Sequence, residues 1–144
     1  EFVECGQRHV FCKTLNNEIY CWGYNHHGQL GLGNIDNQKA PILCSSLLNE
    51  NIVDIKCGYF HNLALARDGS VYSCGFDNYW QSRIDSMILR LYGTLFQKIK
   101  NLSDITRIEC GYDHSFCIDI YNDFYVFGYN RYGQLGLGDD DNRN

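Results

Sequence analysis

Hydrophobic and polar residues alternate along most of this chain of 144 residues, which is the pattern of β-strands that are buried on one side. The alternation is clearest in NIVDIKCG (residues 51–58) and DITRIECG (residues 104–111), and FVECG near the start fits the same register. Two further apolar runs flank RDGS (residues 67–70), which predicts a β-hairpin because the tight turn of an Asp-Gly pair needs positive φ. Equivalent turns are predicted at residues 15–18 and 121–124, where Asn and Asp can adopt the left-handed conformation.

A fourth strand is predicted near residues 41–43 and again at 94–99. One segment departs from the alternating pattern, because its apolar residues fall at helical spacing. They are Ile84, Met87, Ile88, Leu91, Tyr92, Leu95, Phe96, Ile99 and Leu102. Gly93 weakens a helix at its middle, and the strand register resumes at about residue 94, so we expect at most a short helical turn within residues 84–91.

Two motifs recur along the chain and set its period. The first, Cys-Gly-x-x-His, begins at Cys5, Cys57 and Cys110, in steps of 52 and 53 residues. The second, GYNHHGQLGLG (residues 23–33), returns 105 residues later as GYNRYGQLGLG (residues 128–138). Both motifs therefore recur with the same spacing in residues, which indicates a repeat protein.

The middle copy of the glycine-rich motif is broken. In CGFDNYWQSR (residues 74–83) only Gly75 and Gln81 remain in register, and the other glycines are replaced. Four short strands in about fifty residues, repeated, predict an all-β fold made of propeller blades with four antiparallel strands each. The chain is expected to be one partial propeller over residues 1–144, with units at about residues 1–51, 52–104 and 105–144.

The charge and the hydrophobic segments argue against several classes of protein. The formal net charge is -5, so the chain lacks the basic surface of a direct nucleic-acid binder. No run approaches the eighteen or so apolar residues of a membrane span, and the N-terminus lacks the pattern of a secretory leader. We therefore expect an intracellular protein, nuclear or cytoplasmic, and, since the only methionine is Met87, a piece of a longer chain.

The eight cysteines follow the repeat rather than a disulfide pattern. Cys5, Cys57 and Cys110 precede glycine at one repeat position, and Cys12 and Cys117 share another. Cysteines at equivalent positions of successive units behave as small buried hydrophobic residues, and no Cys-x-x-Cys pair is present. We expect free, mostly buried thiols rather than disulfides or a zinc site.

Taken together, the Cys-Gly-x-x-His motif, the long glycine-rich motif and the step of about fifty resemble the regulator of chromosome condensation repeat family. The resemblance covers essentially the whole chain. It implies a ring of about seven four-stranded blades, of which this chain is an incomplete part. The outer blades of such a part would have open edges, which favour docking of further blades or self-association.

The resemblance also implies functions. It implies a propeller that recognises proteins, and guanine-nucleotide exchange on a Ran-type small GTPase as its activity. The alternative is a non-catalytic scaffold or regulatory propeller within a larger multidomain protein. The repeat motif consists of structural residues, so it marks no residue for nucleotide exchange. No arrangement of nucleophile, base and orienting group is readable, so no catalytic residue is predicted.

The glycine-rich motif matches no phosphate-binding pattern, and no helix pattern follows it, so we predict structural corners rather than a cofactor site. The glycines concerned are Gly23, Gly28, Gly31, Gly33, Gly128, Gly133, Gly136 and Gly138. His9, His61 and His114 occupy one repeat position, and we expect them to hydrogen-bond within each blade and fix a turn. No acidic or cysteine partner recurs beside them, so no metal site is predicted.

Candidate partner contacts lie where the repeat varies. The glycine-rich motif carries His26 and His27 in the first unit and Arg131 and Tyr132 in the third, which predicts exposed tips. In the broken middle copy, the types of residue enriched at interfaces cluster around one site. They are Tyr79, Trp80 and Arg83, with Asn78 beside them as a further candidate, although Trp80 could instead fill the space of the missing turn. Three consecutive acids at 139–141 could hold a cation or simply be solvated.

Overall fold

The computed structural model describes residues 1–76 and 93–143, and in these residues eleven β-strands form three antiparallel sheets. The first sheet contains β1 (Phe2–Cys5), β2 (His9–Lys13), β3 (Ile19–Gly23) and β4 (Gln38–Leu43). The second contains β5 (Ile52–Cys57), β6 (His61–Ala66), β7 (Val71–Gly75) and β8 (Gln97–Lys98). The third contains β9 (Ile105–Cys110), β10 (His114–Asp119) and β11 (Phe124–Gly128). A turn of 3-10 helix, Ser45–Leu47, follows β4, and no helix in the described ranges is long and apolar enough to cross a membrane.

Each sheet is a meander in which consecutive strands pair. The predicted hairpin turns have the expected backbone, with φ of 64° at Asn17, 80° at Gly69 and 66° at Asn122. Beyond the third sheet, Gly128 forms an isolated bridge with Arg143, whereas the equivalent Gly23 pairs with Gln38 at the start of β4. Arg143 therefore stands where the fourth strand of the third sheet begins. The prediction of an all-β fold built from four-stranded antiparallel blades is confirmed.

The fourth strand of the second sheet is shorter than predicted, because only Gln97 and Lys98 pair with β7. The preceding Leu95 forms a bridge with Leu32, in the glycine-rich motif of the first unit. Part of the predicted strand at 94–99 thus joins two sheets. The pattern of apolar residues does not predict that Leu95 bridges to a residue of another unit. The helical turn predicted at 84–91 lies outside the described residues.

The core lies between neighbouring sheets, where β1 packs against β5 and where β9 packs against β5 and β6. Leucine, isoleucine and phenylalanine side chains fill both interfaces, and burying each contributes roughly 1.5–3 kcal/mol. Between the first two sheets the largest are Phe11, Leu30, Ile55 and Phe96. Between the second and third they are Leu63, Ile99, Ile108 and Phe127.

All eight cysteines are free thiols. Four of them are buried, namely Cys21, Cys44, Cys74 and Cys117, and Cys5 is exposed. Burial raises the pKa of the Cys74 thiol well above its ordinary value, so this group stays protonated at neutral pH. Such thiols fill the core as small apolar side chains.

The glycine-rich motif of the first unit is packed directly onto the second unit. Gly31 has a φ of +66°, and a Cβ built on it would lie 2.5 Å from Cδ2 of Phe96. Gly136 holds the same place in the third unit with a φ of +72°, but no atom of the described residues lies within 4 Å of its Cβ position. Both positions favour glycine because the left-handed region crowds a Cβ, and Gly31 must also admit an aromatic ring.

These two glycines form a matched pair that tests packing between units. Gly136→Ala is expected to lower the free energy of unfolding by about 1–2 kcal/mol, since alanine disfavours the left-handed conformation. Gly31→Ala carries the same backbone cost and also displaces Phe96, which adds about 1–3 kcal/mol. Urea denaturation of both variants and of the unchanged chain measures the difference. Equal losses would contradict the packing of Gly31 against Phe96.

Candidate protein-recognition surface

The antiparallel order places two connections of every sheet at the same end, and together they form a surface that we call the loop face. It consists of the turns between the first and second strands and the segments that follow the third strand. In the described chain these are residues 6–8, 24–37, 58–60, 76, 93–96, 111–113 and 129–142. Backbone hydrogen bonds of 2.8 Å tie the two kinds of segment together, from Tyr24 to Arg8, from Phe76 to Phe60 and from Tyr129 to Asp113.

Seven aromatic or imidazole rings on the loop face contact one another across the three units, and we call them the aromatic cluster. Its members are Tyr24, His26, His27, Tyr59, Phe60, Phe76 and Tyr112. Phe60 lies at its centre, with its ring centroid 4.0 Å from that of Tyr59 and 4.3 Å from that of His27. By contrast, the five described connections on the opposite face (14–18, 44–51, 67–70, 99–104 and 120–123) contain one aromatic residue, Tyr121.

Tyr59 and Tyr112 occupy the same position of successive Cys-Gly-x-x-His motifs, and their rings stack with centroids 3.9 Å apart. A hydrogen bond from the Tyr112 hydroxyl, and then one from Gln7, lowers the pKa of Tyr59. The same bond raises the pKa of Tyr112 to about 12. Since Gln7 holds the equivalent position in the first unit, these three side chains form a ladder across all three units.

The sequence-predicted contact residues lie on the loop face but do not all meet. His26 is exposed beside Tyr24, whereas His27 is half-buried against Phe60 and is part of the aromatic cluster. Burial, and then the neighbouring His26, lower the pKa of His27, so its ring is neutral at pH 7. Arg131 and Tyr132 are exposed on the loop of the third unit, and no described ring contact joins them to the histidines.

The other predicted contacts, Asn78, Tyr79, Trp80 and Arg83, lie outside the described residues. Residues of the aromatic cluster that the sequence interpretation did not select are Tyr24, Tyr59, Phe60, Phe76 and Tyr112. A usable signal was present for Phe60, because the residue directly before the histidine of Cys-Gly-x-x-His differs in every copy, as Arg8, Phe60 and Asp113. Variation inside a constant frame is typical of positions that the fold leaves free for binding.

Buried asparagines brace the loops that carry the variable tips. Asn25 accepts a hydrogen bond from the N–H of Leu30 at 2.8 Å and donates to the carbonyl of Asn34 at 3.0 Å. Asn130 makes the equivalent bonds to Leu135 and Asp139. Asp139 also forms an ion pair with Arg143, so the first acid of the run at 139–141 has a structural partner. The described residues contain no group of three or more side chains suited to hold a metal ion.

Two of the three repeated histidines, His9 and His61, join neighbouring blades, which corrects the expectation that their side chains bond within each blade. Nε2 of His9 lies 2.6 Å from Oδ1 of Asn62 in the second sheet, and Nε2 of His61 lies 3.0 Å from Oγ of Ser115 in the third. Each ring packs over the glycine of its own motif, and the backbone carbonyl closes the turn, as between His9 and Gly6 at 2.9 Å. The turn is therefore closed by the backbone, and Nε2 of His9 and of His61 bonds to the next sheet.

The partners of Asn62 determine the tautomer of His9. The amide nitrogen of Asn62 donates to the carbonyl of Gln29 at 2.6 Å, so its oxygen faces His9 and accepts from Nε2–H. Nδ1 of His9 is then unprotonated, and it has no hydrogen-bond partner among the described residues. A second proton would place an unpaired donor in the core, and burial accordingly lowers the pKa of His9. Asn62 thus links His9 and Gln29 of the first unit to the second unit.

Comparisons with known proteins agree with this architecture. The sequence pattern of the regulator of chromosome condensation (RCC1) repeat matches residues 2–29, 52–81 and 105–134, and a second pattern of the same description matches residues 16–65. The chain is 35% identical over 132 residues to protein RCC2 homolog of Xenopus laevis, covering 92% of this chain and 26% of that protein. It is 35% identical over 142 residues to the human probable E3 ubiquitin-protein ligase HERC4, covering 98% of this chain and 13% of that protein.

Solved structures give the same result. The structure of Prp20p from Saccharomyces cerevisiae, described with its binding properties to Gsp1p and histones, superposes with a TM-score of 0.90 at 25% identity. The superposition covers 99% of this chain and 36% of Prp20p. The chain thus spans about a third or less of the length of the relatives it matches. By its repeats and its fold, the chain belongs to the regulator of chromosome condensation repeat family.

Proposed function

We propose that this chain is a protein-interaction segment of a β-propeller and that the loop face carries its partner-binding residues. The aromatic cluster is the observation that carries this proposal, because tyrosine, tryptophan and arginine are enriched where binding energy is concentrated. Rings held by a rigid sheet also lose little conformational entropy when a partner binds. His26, His27, Arg131 and Tyr132 extend this surface, and Asn78, Tyr79, Trp80 and Arg83 follow Phe76 in the chain.

The activity proposed for the whole protein is guanine-nucleotide exchange on a Ran-type small GTPase. The likeness to Prp20p, whose structure is described with its binding to Gsp1p, supports this proposal. In this mechanism the propeller contacts the GTPase and releases its nucleotide without making or breaking a covalent bond. It needs no cofactor and no catalytic side chain. Free thiols suit a reducing compartment, so the nucleus or the cytoplasm is the proposed location.

Release of fluorescent GDP from a Ran-type GTPase tests this activity with the intact protein. We expect micromolar protein to accelerate release, and Tyr112→Ser to reduce the acceleration by about two- to tenfold, since interface residues often contribute about 0.5–1.4 kcal/mol. Tyr121→Ser is the matched control, because Tyr121 is 75% exposed on the opposite face. No acceleration at micromolar protein would rule out exchange and leave protein recognition to be tested by direct binding.

A non-catalytic scaffold is the second candidate function. It is favoured by the match to HERC4, in which a segment like this chain makes up 13% of a much larger protein. The arrangement of the full-length protein distinguishes the two candidates. A lone propeller favours exchange, whereas flanking domains with activities of their own favour a scaffold.

The open side of the third sheet is proposed to dock a further blade rather than a second copy of this chain. His114 repeats the position of His9 and His61, which bond to Asn62 and Ser115 of the following unit. The first unit carries Val10 at the position equivalent to Asn62, so a second copy would offer His114 no hydrogen-bond acceptor. A further unit with a polar residue at this place would complete the interface.

A further inference from the structure

We infer that the aromatic cluster binds arginine side chains of a flexible, basic segment in the partner protein. This inference rests on the proposed role of the loop face in protein recognition and names the chemistry of the partner. The guanidinium group stacks on aromatic rings more favourably than other charged groups, because it is planar and weakly hydrated. Ring geometry, the charge of the loop face and a contact within the chain itself support this partner chemistry.

The geometry leaves an aromatic ring available at the edge of the cluster. In this chain Tyr112 ends the stack with Tyr59 and keeps 58% of its surface exposed. A further blade beside the third sheet would cover part of this ring as Tyr112 covers Tyr59, but Tyr59 stays only half-buried in the stack, so the rim of Tyr112 on the loop face stays accessible. Phe60 and His27 lie close together and half-buried behind Tyr59, so they support the stack without needing a partner to cover them. A flexible side chain can therefore reach the Tyr112 ring while the cluster keeps its shape.

The charge on the loop face favours a cationic partner. In its described segments, five acidic side chains stand against two basic ones, Arg8 and Arg131. The acidic residues are Asp36, Asp113, Asp139, Asp140 and Asp141. Arg143, which directly follows the last segment, pairs with Asp139, so four acidic side chains remain without this neutralising partner. Asp113 directly follows Tyr112, and its charge is felt by the hydroxyl groups of both stacked tyrosines. A basic segment would gain from these carboxylates, whereas an acidic one would be repelled.

The chain itself provides one example of the contact. Cζ of Arg8 lies over the ring of Tyr24, 6.0 Å from the ring centroid, which is within the range of a cation–π interaction. Arg8 thus occupies one ring of the cluster and adds a positive charge beside it. Removing Arg8 should free Tyr24 for an arginine of the partner and lower repulsion at the same time.

The experiment measures fluorescence anisotropy of labelled peptides with four Arg-Gly repeats as they bind the intact protein that contains this chain. Peptides with four Lys-Gly or four Glu-Gly repeats serve as comparisons. We expect saturable binding of the arginine peptide, weaker binding of the lysine peptide and none of the glutamate peptide. Tyr112→Leu, which keeps an apolar side chain but loses the aromatic ring, should weaken binding of the arginine peptide about two- to fivefold. Tyr121→Leu, on the opposite face, should leave it unchanged.

Arg8→Ala gives the sharpest result, because it should strengthen binding of the arginine peptide. Weaker binding in this variant, equal binding of the glutamate peptide, or no saturable binding of the arginine peptide would each overturn the inference. A circular dichroism melting curve for each variant separates loss of binding from loss of fold. If GDP release from a Ran-type GTPase is accelerated while the arginine peptide does not bind, the inference fails and the proposed function stands.

Discussion

Asn62→Leu will lower the free energy of unfolding by about 4 kcal/mol. The new side chain has a similar volume but leaves Nε2–H of His9 and the carbonyl of Gln29 with one partner fewer each in the core. A buried donor or acceptor that loses its partner costs about 1–3 kcal/mol. Both groups belong to the first unit, so the variant loosens the whole interface between the first two sheets.

A double-mutant cycle assigns this loss to the hydrogen bond. His9→Phe combined with Asn62→Leu replaces both partners with apolar groups, so the double variant should be more stable than the sum of the two single losses predicts. Asn62→Ser is a milder change, because Ser115 fills the same position opposite His61 in the third sheet. Urea denaturation measures the four proteins of the cycle and, as a fifth, Asn62→Ser. Strictly additive losses, or a loss below about 1 kcal/mol for Asn62→Leu, would contradict the role of this bond.

Acidification will destabilise the chain well above the pH at which most carboxyl groups titrate. Burial, and then the charges of His114 and His9, lower the pKa of His61 to about 3. In the unfolded chain histidine titrates at about pH 6.5. Between these values the unfolded state binds a proton that the folded state does not, so stability present above pH 6.5 is lost as the pH falls. The loss from His61 is about 1.4 kcal/mol per pH unit, or about 2–3 kcal/mol between pH 6.5 and 4.5.

His61→Gln should remove the part of this pH dependence that His61 contributes, because an amide can bond to Ser115 but takes up no proton. His26→Gln is the matched control, since His26 is exposed on the loop face. The measurement is the free energy of unfolding in urea at half-unit steps from pH 7.5 to 4.5. The same slope in His61→Gln and in the unchanged chain would show that the ring of His61 is not kept neutral by the fold.

The order of amino acids predicted the blades but not the contacts between them. Alternating residues and turn residues such as Asn17, Gly69 and Asn122 act over a few neighbours, so their pattern predicts strands and hairpins directly. The direction of the His9 and His61 side chains could not be read in this way, because both partners lie more than fifty residues further along the chain. For the same reason the sequence did not predict that residues 97 and 98 pair with β7 whereas Leu95 bridges to Leu32 of the first unit.

The recognition surface was likewise predicted only in part from the sequence. The sequence alone marked His26, His27, Arg131 and Tyr132 as variable positions in a constant motif, since repeats make variation visible. It did not indicate that Tyr59 and Tyr112 stack, or that Phe60 joins them to the loop of another unit. Side chains from three units meet on one face only because antiparallel strands return their connections to the same end and neighbouring sheets pack side by side. Strand pattern is a local property of the chain, whereas the aromatic cluster depends on packing between distant units.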